Sequence, residues 1–101
     1  MKNYYLDLDN GGTSCKAVVF DTTGREIGSA MKKLEMITPQ PGFTERDMNQ
    51  LWTKNCQVIK QAIEDADIKA DKIYGVACCG HGKGLYLWGK DDQPCYNGIV
   101  S

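Results

Sequence analysis

At 101 residues the chain has room for one small domain, which buries a smaller share of its surface than a full-sized one. Its 42% hydrophobic and 25% charged residues are ordinary for a globular protein, and a formal charge of −1 gives no electrostatic pull on nucleic acid or an anionic membrane. No apolar run approaches membrane-spanning length, and the first residues enter a strand pattern without the basic-then-apolar order of a signal peptide, so the reading is cytoplasmic.

Tyr4 to Leu8 alternates large and polar residues, and Cys15 to Phe20 is rich in β-formers, so two strands are predicted there. Between them lies Asp9-Asn10-Gly11-Gly12-Thr13-Ser14, with Lys16 just beyond. A carboxylate, a glycine turn, two hydroxyls and a cation this close together suit a metal-bound triphosphate, because glycine lets backbone N–H groups approach closely and a carboxylate holds a cation or its waters. The same glycines also suit a plain hairpin, in which they would supply positive φ, and spacing alone leaves the two readings level. The pattern is neither a P-loop nor a dinucleotide fingerprint, since a strand and not a helix follows.

A third strand, Glu26 to Leu34, follows the turn Asp21-Thr22-Thr23-Gly24, and Thr38-Pro39-Gln40-Pro41-Gly42 forbids regular structure. A helix then begins at an Asp47 cap, with Gln50 completing a capping-box-like pair. Met48, Leu51, Trp52, Cys56, Ile59, Ala62, Ile63 and Ala66 form its apolar face, while Lys54, Asn55, Lys60, Gln61 and Glu64 belong mainly to the solvated one. Trp52 is expected in the core, not as a ligand platform.

Ile73 to Cys79 reads as a largely buried strand running into Gly80-His81-Gly82-Lys83-Gly84, and Leu85 to Trp88 as another. Glycines at a strand end admit a ligand to the backbone, and His81 and Lys83 can hydrogen-bond hydroxyls or anions; both also suit the polar tip of a hairpin. Cys15, Cys56, Cys78, Cys79 and Cys95 are odd in number and contain no CxxC, which with a single histidine argues against a zinc site or a disulfide framework and for buried free thiols. Gly98-Ile99-Val100-Ser101 ends the chain on an apolar run, which fits a piece of a longer domain.

Taken together, four segments resemble the amino-terminal part of the FGGY carbohydrate kinases. Leu8 to Asp21 resembles that family's Asp-x-Gly-Thr phosphate hairpin. Pro41-Gly42-Phe43-Thr44-Glu45-Arg46-Asp47 with Trp52 resembles its Pro-Gly-Trp-x-Glu-x-Asp lead into a helix. Val76 to Gly82 is similar to its strand and sugar-side loop, and Pro94 to Ser101 to the stretch before its Asp-Arg pair. Pro39 to Gly42, Glu45 to Met48 and Gly82 to Leu85 resemble most the L-xylulose kinase branch; glycerol and D-xylulose kinases share the outline.

The resemblance implies an α/β, ribonuclease-H-like or actin-like ATPase fold, of which residues 1–101 would be the opening part of the first of two domains. It implies phosphoryl transfer from ATP with Mg2+ to a hydroxyl of a small sugar, a ketopentose such as L-xylulose being favoured, and it admits a homodimer of the full-length protein. Asp9 would orient the metal or its waters. Gly11, Gly12, Thr13 and Ser14 would face the ATP phosphates, with Lys16 adding positive charge. His81, Gly82 and Lys83 would line the sugar pocket; Glu45 and Arg46 would either join them or staple the loop as an ion pair. The family's catalytic Asp would lie beyond Ser101, so the 101 residues alone are expected to be inactive. Gly11-Gly12 where one glycine is usual and Phe43 for tryptophan depart from the family pattern, as does Cys79 for a polar residue common beside the sugar, which leaves the substrate open. A non-catalytic sugar or nucleotide sensor on the same fold, and a small α/β module with no nucleotide, are the competing readings.

Overall fold

The computed structural model describes residues 3–100. Three strands, β1 (Tyr4–Asn10), β2 (Ser14–Phe20) and β3 (Glu26–Lys33), form an antiparallel meander, and a later strand, β5 (Ile73–Gly80), joins it parallel to β1. The sheet order is β3-β2-β1-β5. A second, small sheet places β7 (Gly98–Val100) between β4 (Thr44–Arg46) and β6 (Gly84–Leu85). The connection from β3 to β5 carries β4, the helix α1 (Met48–Asp65) and a 3₁₀ turn, Ala70–Lys72.

Local chemistry accounts for the turns. Between β2 and β3, the Asp21 carboxylate accepts hydrogen bonds from the Thr23 N–H, the Thr23 hydroxyl and the Arg25 N–H, and Gly24 takes a φ of +84°. These bonds hold the Asp21 carboxyl below the usual aspartate range, the Thr23 hydroxyl contributing most. Before β4, Pro41 and Gly42 occupy the centre of a turn closed by the Phe43 N–H on the Gln40 carbonyl, with Gly42 also at φ +84°.

Asp47 caps α1 as the spacing predicts, its carboxylate accepting from the Asn49 and Gln50 N–H groups. Gln50 does not complete a capping box; its side-chain amide reaches Glu35 at 3.4 Å instead. The helix ends in a Schellman arrangement, with Ile68 N–H on the Ile63 carbonyl, Asp67 N–H on the Glu64 carbonyl, and Asp67 left-handed at φ 55°.

The core lies between α1 and the meander. Leu6 and Leu8 from β1, Cys15, Ala17 and Val19 from β2, Leu34, and Val58 and Ala62 from α1 form one buried cluster. Alternation puts these strand residues on the helix side and sends Asp7 and Asp9, Lys16 and Val18 to the other.

The buried face of α1 is turned from the expected one. It is built on Asn55, Val58 and Ala62, flanked by Leu51, Ile59, Ile63 and Ala66, whereas Trp52 is 71% exposed and Cys56 is exposed. The apolar stripe is wider than the sheet it packs on, and the flank carrying Trp52 and Cys56 has no partner layer among the described residues. The same cause exposes β5, which was expected to be buried. It is an edge strand, α1 packs over β2 and β3, and Val76 stays 61% exposed although it pairs with the buried Leu6. Four of the five cysteines are therefore exposed, and Cys15 alone is buried. Burial pushes the Cys15 thiol above its ordinary pKa.

The expected strand Leu85 to Trp88 is shortened to Gly84–Leu85, with Trp88 bridging only to Pro94. Of the terminal apolar run Gly98 to Ser101, residues Gly98–Val100 form β7, and Ser101 lies outside the described residues. No helix among the described residues is long and apolar enough to cross a membrane.

Candidate functional site

Asp9, near the end of β1, has Lys16 opposite it on β2 and Cys79 opposite it on β5. All three therefore occupy neighbouring positions on the sheet face away from α1. The Cys79 thiol donates a hydrogen bond to the Asp9 carboxylate, and this bond is the main reason its pKa rises above the ordinary thiol value. Cys79, set aside from sequence as a substitution beside the sugar, thus touches the carboxylate expected to serve the metal.

Beyond Asp9 the chain reverses through Gly11, Gly12 and Thr13. The Gly11 N–H bonds the Ser14 carbonyl at 2.9 Å, and the Thr13 carbonyl accepts from the Leu34 N–H at 2.8 Å, tying the loop to the end of β3. Neither glycine has a positive φ; among the described residues only Gly24 and Gly42 are glycines in that region. The hairpin does not use its two glycines for backbone freedom, as the turn reading expected. A Cβ at Gly11 would stand 3.4 Å from the nearest backbone atom, an ordinary contact. Fold geometry therefore does not demand glycine here, whereas close approach by a ligand would.

Two side chains hold the hairpin from its inner side. The Asn10 amide pairs reciprocally with Asn55 of α1 at 2.9 and 2.8 Å, and Asn55 also donates to the Leu51 carbonyl at 2.7 Å. Arg46 of β4, 2% exposed, sends one guanidinium nitrogen, Nη2, to the carbonyl oxygens of Gly11 at 3.2 Å and Gly12 at 2.7 Å. Both peptides are trans, so the N–H groups of Gly12 and Thr13 point away from Arg46. Neither N–H is used by the backbone hydrogen bonds of the loop.

The second glycine loop meets the first. A Cβ built on Gly12 would lie 3.5 Å from Cδ2 and 3.8 Å from Nε2 of His81, so the imidazole edge rests against the hairpin. This follows from topology: β1 and β5 are parallel, with Asn10 beside Gly80, so the loops after both strands leave the sheet at the same end. The His81 Nδ1 is buried without a hydrogen-bond partner. Gly82 and Lys83 are exposed in the same loop.

Glu45 and Arg46 form no ion pair with each other. As neighbours on a strand they face opposite ways, and Glu45, 4% exposed, accepts hydrogen bonds from the Tyr96 hydroxyl at 2.9 Å and the Asn97 amide at 3.0 Å. The carboxylate raises the Tyr96 pKa, chiefly through that hydrogen bond. Sequence reasoning named Arg46 but not its hold on the glycine hairpin, and it missed Asn55. Polarity alone puts Asn55 mainly on the solvated face, yet Leu51, Asn55, Val58 and Ala62 share helical spacing, and one polar residue inside such a stripe marks a buried hydrogen bond.

A separate groove of about 680 Å³ lies on the helix side, bordered by Asn10, Met48, Trp52, Asn55 and Trp88. Asp9, Thr13, Lys16 and His81 do not line it. Among the described residues no cluster of three or more His, Cys, Asp or Glu could form a metal cage by itself.

The description "FGGY family of carbohydrate kinases, N-terminal domain" matches residues 4–101. A protein named "Probable L-xylulose kinase" from Pasteurella multocida is 38% identical over 99 residues, covering 98% of this chain and 20% of that protein. The "L-xylulose/3-keto-L-gulonate kinase" of Escherichia coli is 40% identical over 101 residues, 100% of this chain and 20% of that protein. A solved structure of gluconate kinase from Lactobacillus acidophilus superposes with a TM-score of 0.86 at 25% identity, covering 95% of this chain and 19% of that one. The chain thus spans about a fifth of the length of the curated relatives it matches. The mixed α/β architecture is that of the actin-like ATPase fold, and the chain belongs to the FGGY family of carbohydrate kinases.

Proposed function

We propose that the chain forms the phosphate-binding wall of an ATP-dependent sugar kinase, with a ketopentose such as L-xylulose as the favoured acceptor. The observation that carries this reading is the meeting of the two glycine loops, His81 against Gly12, which brings a polar acceptor-side group to the tip of an anion-ready hairpin.

The residues fit Mg-ATP on chemical grounds. Mg2+ keeps most of its waters and takes one or two carboxylates together with phosphate oxygens, so Asp9 alone suffices where a full cage is missing. Bound there, the ion would neutralise charge on the transferring phosphoryl group. Gly12 and Thr13 bind phosphate oxygens through their N–H groups, the Thr13 and Ser14 hydroxyls add donors, and Lys16 adds positive charge beside Asp9. His81, with Gly82 and Lys83, orients the acceptor hydroxyl. Such positioning and charge stabilisation supply most of the catalysis in phosphoryl transfer, which needs no covalent nucleophile. The base that accepts the hydroxyl proton is assigned to the part of the protein beyond Ser101, and residues 1–101 to the opening of its first domain.

The test is ADP release by the full-length protein, coupled to a dehydrogenase readout, across L-xylulose, D-xylulose, gluconate and glycerol. The expected result is ATP-dependent turnover with kcat/KM highest for L-xylulose. Turnover best with another acceptor would move the substrate and keep the kinase. Mg-ATP binding without turnover on any acceptor would replace the kinase with a sensor.

A further inference from the structure

We infer that Arg46 is a positioning residue for the nucleotide phosphates, not a contact to the acceptor sugar. It sets the peptide planes of the glycine hairpin so that two successive N–H groups face the ligand. The inference rests on the kinase reading above.

The geometry is specific. A single nitrogen, Nη2, bridges the carbonyls of two successive residues, Gly11 and Gly12, so both oxygens are drawn to one side. In trans peptides each N–H lies opposite the preceding carbonyl, and the Gly12 and Thr13 N–H groups are therefore turned together to the other side. Successive N–H groups facing one way form an anion-binding nest. Glycine makes such planes easy to rotate, so an undirected Gly-Gly pair would sample orientations in which a carbonyl faces the phosphate and repels it. Arg46 removes those orientations. Its charge also strengthens both hydrogen bonds and polarises the peptides toward a positive outer edge.

Two further observations favour this role over a sugar contact. Arg46 is 2% exposed, which leaves little of its side chain to offer a soluble acceptor. The nitrogen that hydrogen-bonds, Nη2, is the one reaching the hairpin, whereas Nε is buried with no hydrogen-bond partner. Nor does it neutralise its neighbour, since Glu45 is engaged by Tyr96 and Asn97.

Arg46→Lys and Arg46→Gln in the full-length protein test this, with Mg-ATP and acceptor affinities measured separately by calorimetry and KM values measured for both substrates. Loss of charge-assisted hydrogen bonds of this kind predicts an Mg-ATP affinity weakened by about tenfold to a hundredfold in Arg46→Gln, partly restored in Arg46→Lys. Acceptor affinity stays within about twofold of wild type, which also reports that the variant is folded. Weakened acceptor binding with unchanged Mg-ATP binding would place Arg46 in the sugar pocket and overturn the inference. Equal weakening of both, with a lowered Tm, would reduce Arg46 to a structural tie and overturn it too. A wild-type protein that phosphorylates no acceptor is a separate outcome: it sinks the kinase reading, while the Mg-ATP titrations still decide on Arg46.

Discussion

Asp9 faces a cation on one side and a thiol on the other, and each neighbour gives a measurement. Forming the Cys79 thiolate would break its hydrogen bond to Asp9 and set two negative charges together, so less of Cys79 is reactive at a given pH than of an unperturbed thiol. Peptide-resolved alkylation by iodoacetamide at about pH 8 should label Cys79 more slowly than the exposed Cys95, and Asp9→Asn should speed Cys79 alone. Equal rates at both cysteines, unmoved by the substitution, would remove the Asp9 contact. In the full-length protein, Asp9→Asn should lower kcat by about a hundredfold to a thousandfold, the usual cost of losing one preorganised electrostatic group. Activity above a tenth of wild type would take Asp9 out of the metal's surroundings. The sequence made Asp9, Thr13 and Lys16 visible because they sit within one short run. It could not show Arg46 under the loop, because that contact joins residues far apart in the chain through the second sheet.

At the scale of elements, α1 approaches β3 so closely that there is no room for a side chain at Gly28. A Cβ there would stand 2.5 Å from the Ala66 nitrogen and 2.7 Å from the Ala62 carbonyl, both backbone atoms of the helix end that cannot swing aside. Gly28→Ala should therefore destabilise the fold by about 1–3 kcal/mol through overpacking, read as a lower denaturant midpoint at unchanged m-value. An unchanged midpoint would mean that the helix end is not held there. The positions of the meander and the helix start were legible because alternation, turn residues and an N-cap are local signals. The rotation of α1 was not. Its apolar positions extend from Leu51 round to Trp52 and Cys56, and which part is buried depends on where the sheet lies and not on the stripe itself. Asn55 is the sharpest case, a polar residue buried because Asn10 comes to meet it.

The whole molecule is elongated, with extents of 49 × 28 × 20 Å and a radius of gyration of 15.3 Å. A compact chain of this length would have about 13 Å. Trp52, Tyr74, Val76 and Trp88 are each at least 60% exposed, more bare apolar surface than an independent domain usually carries. The 101-residue chain alone should bind a hydrophobic dye such as ANS and self-associate at about 100 μM in light scattering, and should release no ADP with any sugar. A dye-silent monomer would show that these side chains are tolerated as free surface, and sugar-dependent turnover would mean that the proton acceptor lies within residues 1–101.

The parallel pairing of β1 with β5 has a kinetic consequence. The meander closes through short local turns, whereas Tyr4 can find Ile73 only after everything between them, α1 included, has been laid down. Non-local pairing of this kind forms slowly, because the loop entropy comes before the contacts that reward it. As an edge strand with few covered side chains, β5 is also the strand positioned to detach first. Native-state hydrogen exchange should then find amides of β5 opening at lower free energy than those of β2. His81 would leave Gly12 in such an opening while the glycine hairpin stayed folded on its meander. The junction between the loops is therefore assembled last and dismantled first, and capacity to bind nucleotide should outlast capacity to hold a substrate beside it.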